Sequence, residues 1–188
     1  MRPSRAAGWL LVILVFGSAV GFTQSGTRAI LIEAVKPGLT LAVDKGCGGT
    51  YYVGETLNVT VRSLSSGYLT LFDFLPDGRV QRIFPNQYHQ NNYVEAGRDY
   101  RIPGDLLPFV FRVAPPCGEE VLFAVVTSSP HELLPPSYYD LSEVLPQVTR
   151  GSEETAESLT RALDVVPAGI DSAVAICHFF IRQPQPDP

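Results

Sequence analysis

From Ala29 onward the chain is a succession of short apolar segments separated by Gly, Pro, Asn and Asp, with polar residues interleaved at the two-residue period of strands. Residues 30–32 and 39–43 read as two strands joined through the turn Lys36-Pro37-Gly38. In residues 56–62, Leu57, Val59 and Val61 alternate with Asn58 and Thr60, so one face turns inward and the other meets solvent. The clearest hairpin spans residues 68–84, its arms flanking Pro76-Asp77-Gly78, where proline presets one torsion and glycine accepts a positive φ. Phe109, Phe111 and Val113 mark another alternating strand. Residues 121–126 are continuously apolar, as a strand covered on both faces requires, and residues 174–181 read as the closing strand.

Helical periodicity is confined to one late segment. Ser152 is placed to cap it, Glu153 and Glu154 complement its positive end, and Ala156, Leu159, Leu163 and Val166 recur along one face. Residues 128–151, which contain Pro130, Pro135, Pro136 and Pro146, read as a long surface loop. The pattern therefore predicts a mainly β fold, an immunoglobulin-like antiparallel β-sandwich with one α-helix in the C-terminal half.

Ahead of the strands, Arg2 and Arg5 precede an apolar stretch over residues 6–22 that is interrupted only by glycine and Ser18, the pattern of a secretory leader. The stretch falls short of the roughly 20 apolar residues that span a bilayer. Ala19 and Gly21 supply the small residues for a cut after Gly21, and an uncleaved anchor is the alternative. The expected division is a signal peptide over 1–21, a single domain over 22–182 and a disordered tail over 183–188. Its expected location is extracytoplasmic (periplasmic, envelope-associated or secreted), with no membrane span once the leader is cut. The only tryptophan, Trp9, would leave with the leader, so immunoglobulin-like describes architecture alone.

Charge narrows the partners. The 188 residues carry 14 basic and 19 acidic side chains, a formal charge of −5, which becomes −7 when Arg2 and Arg5 depart. Such a balance gives no electrostatic footprint for nucleic acid, and 45% apolar residues exclude a disordered chain.

Export makes a disulfide plausible among Cys47, Cys117 and Cys177. Cys177 shares a strand face with Ala175, Phe179 and Ile181 and reads as a buried thiol, whereas Cys47 and Cys117 sit in loops flanked by Gly or Pro. The expected bridge is Cys47–Cys117. His89, His131 and His178 are too dispersed for a metal-ligand pattern, and no cofactor is expected. Asp73 and Asp77 straddle the hairpin turn, but a calcium loop brings more acidic oxygens at regular spacing, so Asp77 reads as a turn residue. Residues 86–93 combine aromatic faces with amides that donate and accept, and Tyr88, His89, Asn91, Asn92 and Tyr93 are the candidate binding residues. A polar connection after a hairpin would look the same. Tyr138, Tyr139 and Asp140 form a weaker candidate.

Several stretches in order carry a family likeness: Tyr52-Val53-Gly54-Glu55, Gly67-Tyr68-Leu69, Asp77-Gly78-Arg79-Val80, Phe84-Pro85-Asn86, Ala96-Gly97, Ile102-Pro103 and Gly118-Glu119-Glu120. Over about residues 47–130 the chain resembles the bacterial family catalogued as domain of unknown function 4384, found in envelope and secreted proteins. The resemblance implies a small β-rich accessory domain. In the family it can sit beside caspase-like peptidase or kinase domains that hold the catalytic residues, so no active-site residue is carried over. The expected function is that of a non-enzymatic exported domain binding a protein or cell-envelope component. The alternatives are a hydrolytic enzyme whose site assembles only on folding and a structural surface protein that associates through sheet edges.

Overall fold

A computed structural model describes residues 24–104 and 109–184. The expected leader and the last four residues of the expected tail lie outside the described residues. In chain order the elements are α1 (Gln24–Glu33), β1 (Leu39–Val43), β2 (Thr50–Tyr52), β3 (Thr56–Leu57), β4 (Val59–Ser63), β5 (Gly67–Phe74), β6 (Val80–Phe84), β7 (Tyr93–Val94) and β8 (Asp99–Ile102). They continue with β9 (Phe111–Arg112), β10 (Gly118–Thr127), β11 (Tyr139–Asp140), β12 (Gln147–Val148), α2 (Ser152–Asp164) and β13 (Ser172–Arg182). The fold is mainly β and forms an open sandwich, as the strand pattern predicts.

The large sheet has the order β11-β12-β6-β5-β10-β13-β2, with β7 paired to the start of β5. A three-stranded sheet, β1-β4-β8, and the two-stranded ribbon β3-β9 complete the set. Every pairing is antiparallel except that of β2 with β13. The large sheet is the middle layer. Leu122, Ala124 and Val126 of β10 join Leu41, Val59 and Val61 of the small sheet in one core, while Val121, Phe123 and Val125 join Leu31, Ala156 and Leu159 of the helices in a second. Burial on both faces is why residues 121–126 are apolar without a break.

Several expectations need correction. Residues 30–32 belong to α1, so there are two helices rather than one. Thr27, Leu31 and Ala34 are buried at helical spacing, leaving Ile32 and Val35 exposed. Residues 56–62 are broken at Asn58 into β3 and β4, which enter different sheets. Of the strand expected around Phe109 to Val113 only Phe111 and Arg112 pair. The long loop adds β11 and β12 to the edge of the large sheet and buries Leu133 and Leu134. At α2 the capping position is Gly151; Ser152 is buried, and its Oγ accepts a hydrogen bond from Thr27 Oγ1 at 3.0 Å, tying the helices together.

The expected Cys47–Cys117 bridge is also corrected. Cys47 is bonded to Cys177, with 5.2 Å between the Cα atoms, and Cys117 is free and exposed. Parallel pairing of β2 with β13 decides the partner, since it draws the loop before β2 across β13 until Gly48 N–H donates to the His178 carbonyl at 2.7 Å. Cys117 precedes the residue opposite Ile181, while Cys177 lies opposite Leu122, so the two are about 17 Å apart along the strands at the usual rise.

Candidate functional site

The hairpin turn behaves as its residues require. Gly78 has φ of 86°, and Asp77 Oδ1 accepts from Arg79 N–H at 3.1 Å while Oδ2 binds Arg79 Nε at 2.7 Å. Asp73 does something different. It lies opposite Gln81 of β6 and Leu122 of β10, on the face shared with Leu69 and Leu71, which points toward the small sheets. Glu120 of β10 projects from the same face, two residues from Leu122. The two carboxyls thus meet diagonally across the pair β5–β10.

Both are deeply buried, Asp73 at 5% and Glu120 at 7% exposure. Gln81 Nε2 donates to Asp73 Oδ2 at 2.8 Å, and Gln147 Nε2, one strand further out, donates to Gln81 Oε1 at 3.1 Å. The two carboxyls are close enough for the charge of one to disfavour ionisation of the other. No N–H or hydroxyl donor among the described residues reaches Asp73 Oδ1, and neither carboxyl has an ion-pair partner there. Burial pushes Asp73 up to about 6 against the opposing bonds from Glu120 and Gln81. Burial, and then the adjacent charge of Asp73, raises Glu120 well above the ordinary carboxylate range.

These acids lie at the base of a cleft of about 440 Å³, within the size range of ligand sites. Leu57, Ile83, Val113 and Leu145 form apolar walls, and the rings of Tyr88, Phe109 and Phe111 follow one another along the rim at centroid distances of 5.3 and 5.8 Å. Tyr88 and Val110 are more than half exposed. Arg112 also lines the cleft, its Nη1 held by the Gly54 carbonyl at 2.6 Å.

Of the five candidate binding residues, the structure brings only Tyr88 to this cleft. The 86–93 segment is organised by a residue outside that set: buried Asn86 accepts from Tyr88 N–H and His89 N–H at 2.9 and 3.0 Å, and its Nδ2 donates to the Ile83 carbonyl at 2.8 Å. His89 packs edge-on against Phe84, with centroids 4.8 Å apart. Asn91 Oδ1 accepts from Tyr93 N–H, Asn92 Nδ2 ties the segment to the Leu69 carbonyl, and Tyr93 lies edge-on to Tyr68 at 5.4 Å. Asn92 lines a different, smaller cavity of about 270 Å³ together with His131 and Tyr139. Tyr138 and Tyr139 pack on the helix-side core under Arg150 and Arg82, which accounts for them through packing. None of the three histidines lines the acid-floored cleft. The acid pair itself was missed; a charged residue in the otherwise apolar run Leu71 to Leu75 was the available signal.

Residues 50–130 match the model of the family described as domain of unknown function (DUF4384). The matched stretch is 81 of the 188 residues, somewhat under half of the chain. The match runs from β2 through β10 and takes in Asp73, Tyr88 and Glu120, whereas the DUF4384 segment leaves outside it both helices, Cys47 and the strand β13 that pairs with β10. No curated protein and no solved structure matches the chain.

Proposed function

We propose that this protein is a non-catalytic exported domain that binds a protein or cell-envelope component through the cleft between Tyr88 and the 109–113 segment. The observation that carries the reading is the exposed aromatic rim over an apolar, concave surface held by packed strands. Exposed apolar side chains gathered around a cavity have much to gain from a partner that covers them. The Arg2–Arg5 leader pattern and the Cys47–Cys177 bridge support an oxidising, extracytoplasmic setting.

The test is a selection of displayed random peptides on the purified protein, followed by affinity measurement against Tyr88→Ala and Phe109→Ala. Both side chains stand on the rim, so the variants keep the core. Selected peptides with apolar centres should lose at least about tenfold in affinity on either variant, the scale expected for an aromatic anchor at a binding site. Peptides that bind all three proteins equally would refute the cleft as the binding site.

A further inference from the structure

We infer that the cleft receives an arginine side chain of a protein partner, whose guanidinium sits against the carboxyls of Asp73 and Glu120. The inference rests on the binding reading above and specifies what the cleft takes. Two acidic side chains, each more than nine-tenths buried, converge on its base, and one oxygen, Asp73 Oδ1, has no N–H or hydroxyl donor among the described residues. A buried acceptor without a donor is costly, and an inserted donor removes that cost.

The charged groups around the pair leave the cation unsupplied. From β6 and β12 come only the neutral amides of Gln81 and Gln147; from the hairpin turn Asp77 adds negative potential at Glu120, with Arg79 engaged to it. Arg112 of β9 is anchored to the Gly54 carbonyl, and Tyr88 is the remaining titratable group of the rim. An anion would be repelled. A divalent metal would want more oxygens than this base offers, and the described residues contain no group of three His, Cys, Asp or Glu able to hold one. Guanidinium suits the place on three counts: its fork reaches two carboxyls, its plane stacks on aromatic rings, and it sheds water more readily than an ammonium. The apolar walls cover its aliphatic stem. On entry Glu120, which burial holds protonated, gives its proton to solvent; the negative charge this adds is offset by the incoming cation, and the pair with its guest keeps a net charge of −1.

Calorimetric titration of the purified protein with Nα-acetyl-arginine methylamide tests this. Affinity should rise between pH 6 and 8, by at most about tenfold per unit for a single released proton, and the heat should vary with buffer ionisation enthalpy to the same count. The norleucine and lysine analogues should bind at least about tenfold more weakly, and the double variant Asp73→Asn/Glu120→Gln should abolish the preference for arginine. Equal affinity for the three probes, or arginine binding without proton release, overturns the inference. Because proton release is read on the unaltered protein, a variant that fails to fold leaves the test intact. Loss of arginine binding alone, with selected peptides still dependent on Tyr88, removes the arginine proposal and leaves the binding reading standing; peptides indifferent to Tyr88 remove that reading as well.

Discussion

At Asp73 the chain places a carboxyl where the alternation of β5 calls for an apolar side chain. The folded protein holds that carboxyl up to about 6, so it keeps its proton more tightly than the unfolded chain does. The sign follows directly. With the folded value above the unfolded one, the native state binds more protons between them, and stability falls as pH rises from about 4 through 6 and beyond, where Glu120 also resists ionisation. Asp73→Asn supplies an amide donor with the same shape and no charge to bury. It should raise stability by about 1–3 kcal/mol at pH 8 and change little at pH 4, as read by urea unfolding at the two pH values. A variant less stable than the parent at pH 8 would count against a buried, strained charge. In the sequence Asp73 stands nearest Asp77, and nearness along the chain invites the two to be compared. Its actual companion is 47 positions away and becomes visible only with the β5–β10 register. Asn86 teaches the same lesson differently, since an asparagine after Phe84-Pro85 reads as one more polar loop residue until its three hydrogen bonds are drawn.

Elements divide into those whose own residues specify them and those that depend on a neighbour. The β5–β6 hairpin was legible because its turn chemistry and its alternation agree, and β10 because a run buried on both sides has no other use for six consecutive apolar residues. In α1 the consecutive Ile30, Leu31 and Ile32 imitate a strand. The helical reading rests on Thr27, Leu31 and Ala34, a face that has meaning only once α2 is there to receive it. At the start of β5, the neighbouring strand β10 leaves no space for a side chain at Gly67: an added Cβ would collide with the Thr127 carbonyl oxygen and lie 2.8 Å from Val126 Cγ1. Backbone cannot give way as a flexible side chain can. Gly67→Ala should therefore cost at least about 2 kcal/mol in chemical denaturation, well beyond the few tenths seen at open surface positions. Gly97→Ala on the protein surface, where φ is 76° but nothing crowds the site, separates the two causes: it should cost only about 1 kcal/mol.

For the molecule as a whole, one covalent link joins the loop before β2 to the last strand, 130 positions apart. In the chain-entropy account a closure of that length stabilises by up to about 5 kcal/mol. Cys177→Ser should lower the unfolding free energy by about 2–5 kcal/mol, and Cys117→Ser should leave it within about 0.5 kcal/mol of the parent. Alkylation of the native protein followed by mass analysis should find a single reactive thiol, at Cys117. Two or three alkylated cysteines would contradict the bridge. Loop position made Cys47 and Cys117 look alike in the sequence, and a buried strand made Cys177 look inert; parallel pairing at the sheet edge, which involves just three residues of β2, reversed that choice. The strand β13, last in chain order among the described strands, is inserted between β10 and β2, next to one edge of the large sheet. A polypeptide that emerges front end first must wait for residues 172–182 before β10 and β2 can be joined into one sheet. Until then one whole edge of β10 stays unpaired, and the partner of Cys47 has yet to arrive.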